Sequence, residues 1–373
     1  MQVDLVAHAP VESVGGIGRY IREVYRYLSR QVPVRIVRPI SPPLASRFTL
    51  LTAFPLGLRD HRPGSIVHFT QIMGCAQMLW HPVRPAVATV HDLGVLVCKE
   101  DELLFNRLGR IILDLNLAGL RRVDHYIVHS EHTGYGLTSQ LGIPRERISV
   151  VATSVDTDHF HPIREARDLV VREYGIQLND GAFNLLYVGS ELPRKNLRSL
   201  LEAMAILKLR GRCVRLLKVG DAGGARWRQR FIEDMEALDV QNEVVIVGVV
   251  SEADLPFLYN AADVCVTPTL LEGGFAWLVM EAMACARPVI ASSAALVPKK
   301  AQDAVLIVPP RDPERLAQTI QQCMDDDYLR RRMAEGGWEF VQSFQWGKEA
   351  AAVLEIYKSV LNRLDSKSII QPK

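Results

Sequence analysis

Two carboxylates flank a pair of glycines in residues 271–292, LEGGFAWLVMEAMACARPVIAS. Gly273 and Gly274 allow a tight turn in which the backbone can approach a ligand closely. Good helix formers follow, so the turn opens a helix, and a helix N-terminus attracts an anion such as phosphate. Glu272 and Glu281 would be repelled by that phosphate unless they bind something else, and a carboxylate can accept hydrogen bonds from two sugar hydroxyls. The stretch predicts a site for a phosphorylated sugar.

A second anion site is predicted at Arg194 and Lys195, which lie between a buried strand at 185–188 and a helix at 197–210. Cations are disfavoured just before a helix N-terminus. Two adjacent cations at that position make sense if a diphosphate occupies the gap.

Gly16 lies in a third turn of this kind, Gly15-Gly16-Ile17-Gly18, which opens a helix whose apolar residues recur three and four apart. As a dinucleotide fingerprint the run is incomplete, because Ile21 stands where the third glycine belongs. A plain tight turn explains the glycines equally well.

His91 and Asp92 follow a short apolar strand at 86–90. Open α/β sheets bind their ligands at the carboxyl ends of their strands. From the residues alone, His91 could bond a sugar hydroxyl or be satisfied by a backbone carbonyl.

Strands and helices alternate along all 373 residues, of which 48% are hydrophobic and 23% charged. This pattern predicts an α/β protein with two Rossmann-like domains. The six cysteines are scattered without a C-x-x-C pair, and the first residues lead straight into a strand without a signal peptide. We therefore expect a reduced, cytoplasmic protein.

The motifs resemble the retaining glycosyltransferases of the GT-B fold, family four, whose signature is Glu-Gly-Phe-Gly, four residues, then Glu-Ala-Met-Ala-x-Gly-x-Pro-Val-Ile-Ala. The matching residues are Phe275, residues 281–284 and residues 288–292. Thr89-Val90-His91-Asp92 matches the family's Thr-x-His-Asp, and residues 344–348 resemble its Phe-Ser-Trp-Glu-Lys.

The chain departs from this signature in several places. Eight residues separate Glu272 from Glu281 instead of seven, and alignment on Phe275 puts Gly273 where the first glutamate belongs. Ala276 and Ala286 replace family glycines. Ser190 stands where the family has an arginine that contacts the diphosphate, so Arg194 is a candidate substitute.

The resemblance implies transfer of a hexose from a nucleotide sugar, GDP-mannose or a UDP-hexose, to a glycan or lipid-linked glycan in surface polysaccharide synthesis. It implies retention of anomeric configuration without a required metal or other cofactor. The implied catalytic residues are His91, Lys195 and Glu272. The implied donor-binding residues are Gly16, Ser190, Arg194, Lys195, Gly273, Gly274, Phe275, Ala276 and Glu281.

The implied GT-B fold has two Rossmann-like domains facing across a cleft. Residues 1–163 form the acceptor-side domain, 164–343 the nucleotide-sugar domain, 344–365 a helix that crosses back to the first domain, and 366–373 a flexible tail. Arginines in the helix predicted at 103–122 could form a solvated helix face, or a basic surface for a lipid pyrophosphate or anionic headgroups, with peripheral contact at the inner membrane face. No nucleic acid partner is expected.

The sequence offers three other interpretations. Asp156-Thr157-Asp158 spells the manganese-binding D-x-D of GT-A enzymes, but its context matches a turn near the end of the first GT-B domain. A Rossmann oxidoreductase would need a complete G-x-G-x-x-G. A non-catalytic nucleotide-sugar sensor stays open, because it would keep the phosphate site and lose only the acceptor side.

Overall fold

The computed structural model describes residues 1–7, 15–37, 61, 64–97, 107–178, 180–271 and 276–369. The chain divides into two compact units. Met1–Thr153 together with Trp346–Lys373 forms the first unit, and Ser154–Gln345 forms the second. The division after Thr153 comes earlier in the chain than the boundary expected from sequence at 163.

The first unit contains a six-stranded parallel sheet in the order β2-β1-β3-β4-β5-β6. All residues of β3, β4 and β5 are buried, as expected of parallel strands covered on both faces. The strands are β1 Gln2–Val6, β2 Val34–Val37, β3 Ser65–Phe69, β4 Ala86–Val90, β5 His125–Val128 and β6 Ile148–Val150.

The helices of the first unit are α1 Gly16–Leu28, α2 Gly94–Val97, α3 Arg107–Leu120, α4 Glu131–Leu141 and the C-terminal α12 Trp346–Ile369. Helix α12 belongs to this unit, and Tyr357 lies within it, fully buried against His68 of β3. The helix includes residues 366–369, which the sequence analysis assigned to the tail. Residues 366–369 contain no glycine or proline, and the first proline of the tail is Pro372, so their sequence is compatible with a helix.

The second unit repeats the design with a parallel sheet in the order β12-β11-β10-β7-β8-β9. Its strands are β7 Phe183–Val188, β8 Val214–Val219, β9 Val244–Gly248, β10 Val264–Thr267, β11 Val289–Ser292 and β12 Val305–Val308. The core lies between this sheet and its helices, and β7, β10 and β11 contribute fully buried apolar side chains to it.

The helices of the second unit are α5 Ala166–Tyr174, α6 Leu197–Leu209, α7 Ala225–Ala237, α8 Leu255–Ala261, α9 Trp277–Ala284, α10 Pro313–Asp325 and α11 Asp327–Val341. Seven of the eight residues of α9 are buried, in agreement with its apolar sequence. Two parallel α/β sheets with helices confirm the predicted fold class.

Candidate active site

The strand order of the second unit places a topological switch point between β7 and β10. Later strands add outward from β7 through β8 on one side and from β10 through β11 on the other. Ligands of open α/β sheets bind at such a point, outside the carboxyl ends of the strands. Two of the predicted site segments follow these two strands: 189–196 after β7 and 268–276 after β10.

The loop after β7 begins at a position that requires glycine. Gly189 has φ 151°, and a Cβ there would lie 2.6 Å from the hydroxyl oxygen of Tyr187. That hydroxyl donates a hydrogen bond of 2.9 Å to the carbonyl oxygen of Ser190. A Cβ on Gly220, in the loop after β8, would lie 2.9 Å from the carbonyl oxygen of Gly189. The backbones of the two loops are therefore too close together for a side chain at Gly220.

Arg194 and Lys195 lie in a short 3₁₀ turn, Pro193–Lys195, and both are partly exposed. The backbone carbonyl of Arg194 accepts hydrogen bonds from Leu270 N at 2.7 Å and Thr269 Oγ1 at 3.1 Å. Both donors follow β10. The predicted cation loop and the predicted carboxylate loop are therefore joined directly at the switch point.

A second link between these loops starts from Asn196, which precedes α6 with φ 56°. Its side-chain amide donates to the carbonyl oxygen of Pro268 at 2.9 Å. Its side-chain oxygen accepts from Ser199 Oγ at 3.0 Å. Asparagine tolerates this left-handed conformation better than most residues do, so the residue type at 196 favours the turn after Lys195.

Glu281 lies in α9 and is 4% exposed. The hydroxyl of Tyr259 in α8 donates to its Oε2 at 2.6 Å, a short charge-assisted hydrogen bond. Tyr259 itself is fully buried, so the carboxylate is hydrogen-bonded to a residue of the core. Sequence reasoning missed Tyr259, because a core tyrosine carries no motif.

Four of the predicted residues, Glu272, Gly273, Gly274 and Phe275, lie outside the described part of the chain. Ala276 is described as the buried residue that precedes α9. Ala286, one of the two alanines that replace family glycines, has φ 51°. This left-handed conformation is the one that a glycine adopts without cost.

In the first unit, Gly16 begins α1 and is preceded by Gly15 with φ 128°. The amide of Arg19 donates to the carbonyl oxygen of Gly15 at 3.0 Å, which closes the first turn of the helix. The glycine turn therefore opens a helix, as predicted.

His91 follows β4 and uses both ring nitrogens within this unit. Nε2 lies 2.9 Å from the carbonyl oxygen of Thr70, and Nδ1 lies 3.1 Å from Nε2 of His129. The sequence left a backbone carbonyl and a sugar hydroxyl as alternative partners, and the carbonyl contact is present. A bond to a sugar would require His91 to exchange one of these contacts, and its role toward a sugar stays a prediction.

The histidine pair adjoins a buried polar chain. Tyr20 of α1 packs edge-on against His91, with ring centroids 4.8 Å apart, and its hydroxyl lies 2.8 Å from Thr89 Oγ1. Thr89 Oγ1 lies 2.7 Å from Nε2 of His68. Burial lowers the pKa of His68 to about 3 and raises that of Tyr20 well above its ordinary value. These groups are therefore neutral at physiological pH.

Of these residues, His129 was the one that sequence could have identified. It follows β5, the strand beside β4, and the carboxyl ends of parallel neighbours share one edge. The signal was a histidine at the end of each strand, His91 after β4 and His129 after β5.

An apolar cavity of about 120 Å³ opens beside His91 in the first unit. Three aliphatic side chains and one thioether contribute most of its lining, and three polar side chains complete it. The lining residues are Ile17, Gln71, Ile72, Met73, His91, Asp92 and Leu113. The lining contains no lysine or arginine, and burial lowers the pKa of His91, so it suits an uncharged group better than a phosphate.

The D-x-D segment forms a turn. Oδ1 of Asp156 accepts hydrogen bonds from the amides of Asp158 at 3.0 Å and His159 at 3.2 Å. Among the residues that the structure describes, no three His, Cys, Asp or Glu side chains are grouped as a metal site. Within the same ranges, no helix has both the length and the apolar character needed to cross a membrane.

Comparison with known proteins connects these features to enzymes that transfer sugars. The chain is 27% identical over 282 residues to the O-antigen chain mannosyltransferase B of Escherichia coli, covering 74% of this chain and 71% of that one. It is 26% identical over 246 residues to a D-inositol 3-phosphate glycosyltransferase of Salinispora arenicola. That alignment covers 63% of this chain and 54% of the relative, so the chain spans about half of that protein's length.

Solved structures share the fold along nearly the whole chain. Sucrose-phosphate synthase of Thermosynechococcus elongatus aligns with a TM-score of 0.80 at 24% identity, covering 97% of this chain and 99% of the other. The Anabaena protein HepE, solved with UDP and glucose, aligns with a TM-score of 0.76 at 18% identity, covering 96% and 99%.

Family models match both halves of the sequence. Residues 14–159 match the model described as Glycosyltransferase Family 4, and residues 182–326 match the model described as Glycosyl transferases group 1. Together with the two parallel α/β sheets, these matches show that the chain belongs to the group 1, family 4 glycosyltransferases of the GT-B fold.

Proposed function

We propose that this glycosyltransferase moves a hexose from a nucleoside diphosphate sugar to a glycan or lipid-linked glycan, with retention of configuration and without a required divalent metal. In this proposal Lys195 and Arg194 bind the donor diphosphate, and Glu281 binds the ribose hydroxyls. Glu272, Gly273, Gly274, Phe275 and Ala276 are assigned to binding the donor sugar, and Ser190 to the diphosphate. The roles implied for His91 and Gly16 of the first unit stay predictions.

The observation that carries the proposal is the link between the two loops at the switch point of the second sheet. Leu270 N and Thr269 Oγ1 both bond the carbonyl oxygen of Arg194. This link holds two partly exposed cations next to the segment that leads to Glu272 and α9. A nucleoside diphosphate sugar offers a diphosphate to these cations and hydroxyl groups to the two glutamates, at the end of the sheet where such ligands bind.

The proposed reaction is a front-face displacement. The bond between the sugar's anomeric carbon and the donor phosphate oxygen breaks, and a bond to the acceptor oxygen forms on the same face. The acceptor's hydroxyl proton passes to the departing phosphate. Arg194 and Lys195 stabilise the charge that develops on the leaving diphosphate, so catalysis consists mainly of positioning and electrostatic stabilisation.

A mannosyl donor is favoured by the likeness to a mannosyltransferase, and a UDP-hexose by the likeness to a protein solved with UDP and glucose. The O-antigen function of the first of these relatives points to surface polysaccharide synthesis. We further propose that transfer takes place at the cytoplasmic side of a membrane, with peripheral contact where the acceptor is lipid-linked.

The test begins with thermal unfolding in the presence of UDP, GDP, ADP and their hexose derivatives. A ligand at a hundred times its Kd adds about 2.7 kcal/mol of stability, which is readily measured. Turnover with the stabilising donor is then assayed in excess chelator, and the product's anomeric configuration is determined by NMR. We expect retained configuration and undiminished turnover. An inverted product, or a complete loss of activity that metal restores, would contradict the proposal.

The non-catalytic alternative makes a different prediction in the same experiment. A nucleotide-sugar sensor would be stabilised against unfolding by one donor. It would not transfer the sugar of that donor to any acceptor in the assay. Calorimetric binding beside the turnover assay therefore separates a sensor from an enzyme.

A further inference from the structure

A buried ammonium group lies beneath the proposed diphosphate loop. Lys218 of β8 is fully buried, and its Nζ lies 2.8 Å from Glu191 Oε1. The same nitrogen donates to the carbonyl oxygens of Gly220 at 2.8 Å and Asp221 at 2.7 Å. Two protons of the ammonium group therefore go to carbonyl oxygens of the loop after β8 and its charge is paired with Glu191, so Lys218 ties the loop after β7 to the loop after β8.

Glu191 completes the link from the other side. Its side chain is 1% exposed, and Arg228 of α7 binds both of its oxygens, Nε to Oε2 at 3.0 Å and Nη2 to Oε1 at 2.7 Å. Its backbone amide donates to the carbonyl oxygen of Ala222 at 3.1 Å. The carboxylate of Glu191 therefore joins the loop after β7 to β8 and to α7, and its backbone amide joins that loop to the loop after β8.

A buried ion pair is weak evidence for a contribution to stability. Burial lowers the pKa of Lys218 while Glu191 opposes that change, so the ion pair is maintained against a desolvation cost. Buried ion pairs can often be replaced by apolar residues of similar size without loss of stability. What an apolar pair would lack is the set of directed bonds that fixes the backbone of residues 189–196.

We propose that Glu191 and Lys218 are positioning residues, which fix the loop that presents Arg194 and Lys195 and thereby set the affinity for the donor diphosphate. The inference rests on the proposed function, because it takes that loop as the diphosphate site. Arg228, whose side chain is 32% exposed, contributes the outer part of the same link.

The experiment compares Glu191→Gln, Lys218→Met and the double variant Glu191→Leu/Lys218→Met. Either single change leaves part of a buried charge network unpaired, so both should lower the unfolding temperature and weaken binding of the donor nucleotide. The double variant should regain most of the unfolding temperature, because no unpaired buried charge remains between the two loops. Its KM for the donor should stay at least about fivefold raised, with kcat at saturating donor within about twofold of the parent.

Recovery of both unfolding temperature and donor KM in the double variant would overturn the proposal, since the cluster would then serve stability alone. Arg228→Met provides a milder arm, because it removes only the partly exposed contact. It should raise the donor KM about two- to fivefold, and an unchanged KM in this folded variant would also count against the proposal.

Lys208→Met is the matched control. Lys208 lies near the end of α6, pairs with Asp239 and Glu243, and is 37% exposed. Its removal should leave the donor KM unchanged. A parent protein that binds no nucleoside diphosphate would contradict the proposed function itself. A parent that binds one with the same affinity as the Glu191 and Lys218 variants would contradict only this inference.

Discussion

His129 Nε2 lies 3.1 Å from His91 Nδ1, and the two rings stack with centroids 5.1 Å apart. The outer nitrogens face carbonyl oxygens, His91 Nε2 that of Thr70 and His129 Nδ1 that of Val151. A carbonyl only accepts, so forming all three hydrogen bonds requires three protons on two rings. A neutral pair has two, so at most two of the three hydrogen bonds form at once.

The first prediction concerns acid stability. Burial lowers the pKa of His129 to about 3 from an ordinary value of 6.5 and also lowers that of His91. Between these pH values the unfolded chain binds more protons than the folded one, so the free energy of unfolding falls as the pH falls. Each such histidine contributes a slope of up to about 1.4 kcal/mol per pH unit. His129→Gln should reduce the slope between about pH 6 and pH 4 in chemical denaturation.

His132 provides the control for this measurement, because it is close to the pair in sequence but its side chain is exposed. His132→Gln should reproduce the parent's slope. A His129→Gln variant with the parent's slope would show that the pair does not titrate as its burial requires.

The strand and helix pattern was predictable because its causes are local. Apolar periodicity, and the glycines and prolines that end strands and helices, act over a few residues. The cations at 194 and 195 were found because they conflict with the dipole of α6, and such conflicts indicate function. The Glu191–Lys218 contact was not predictable, because a buried lysine in the run VRLLKV looks like a solvent-facing strand residue. Its partner is fixed only by strand order, which local pattern does not give.

The second prediction concerns Ala286, where the family has glycine. An alanine at φ 51° is strained by about 1 kcal/mol, and the added flexibility of glycine in the unfolded chain offsets part of the gain. Ala286→Gly should therefore raise the free energy of unfolding by about 0.5 kcal/mol. Ala284→Gly, within α9, is the matched control and should lower it by about 1 kcal/mol or more. Equal effects of the two changes would contradict the backbone argument.

The third prediction concerns the two loop cations. Charged hydrogen bonds to a diphosphate are worth about 1.5–3 kcal/mol, so Lys195→Ala should lower kcat/KM by at least about tenfold. Arg194→Ala should do the same, because the bonds from Leu270 and Thr269 use its backbone carbonyl and survive the change. Lys208→Ala removes a lysine from the far end of α6 and should leave kcat/KM unchanged. Parent-like kinetics in a folded Lys195→Ala variant would move the donor site elsewhere.

The last prediction separates the two glutamates. Glu281 is held by Tyr259 and placed by α9, whereas Glu272 is displaced by one residue from the family's first glutamate. Gly273 and Gly274 can absorb an inserted residue by adopting positive φ without moving α9. We therefore expect Glu281→Gln to weaken binding of the bare nucleotide, and Glu272→Gln to spare the nucleotide but reduce transfer.

Tyr259→Phe shows whether the orientation of Glu281 matters for binding or only for folding. Removing the hydroxyl deletes the 2.6 Å bond to Oε2 and keeps the charge and the packing of the ring. Nucleotide affinity should fall by a smaller factor than in Glu281→Gln, because the carboxylate is still present but less well held. Calorimetry of nucleotide binding and turnover with the full donor are measured for all three variants. If Glu272→Gln turns over like the parent, the displaced glutamate has no part in transfer, and sugar recognition belongs to the loop backbone and His91.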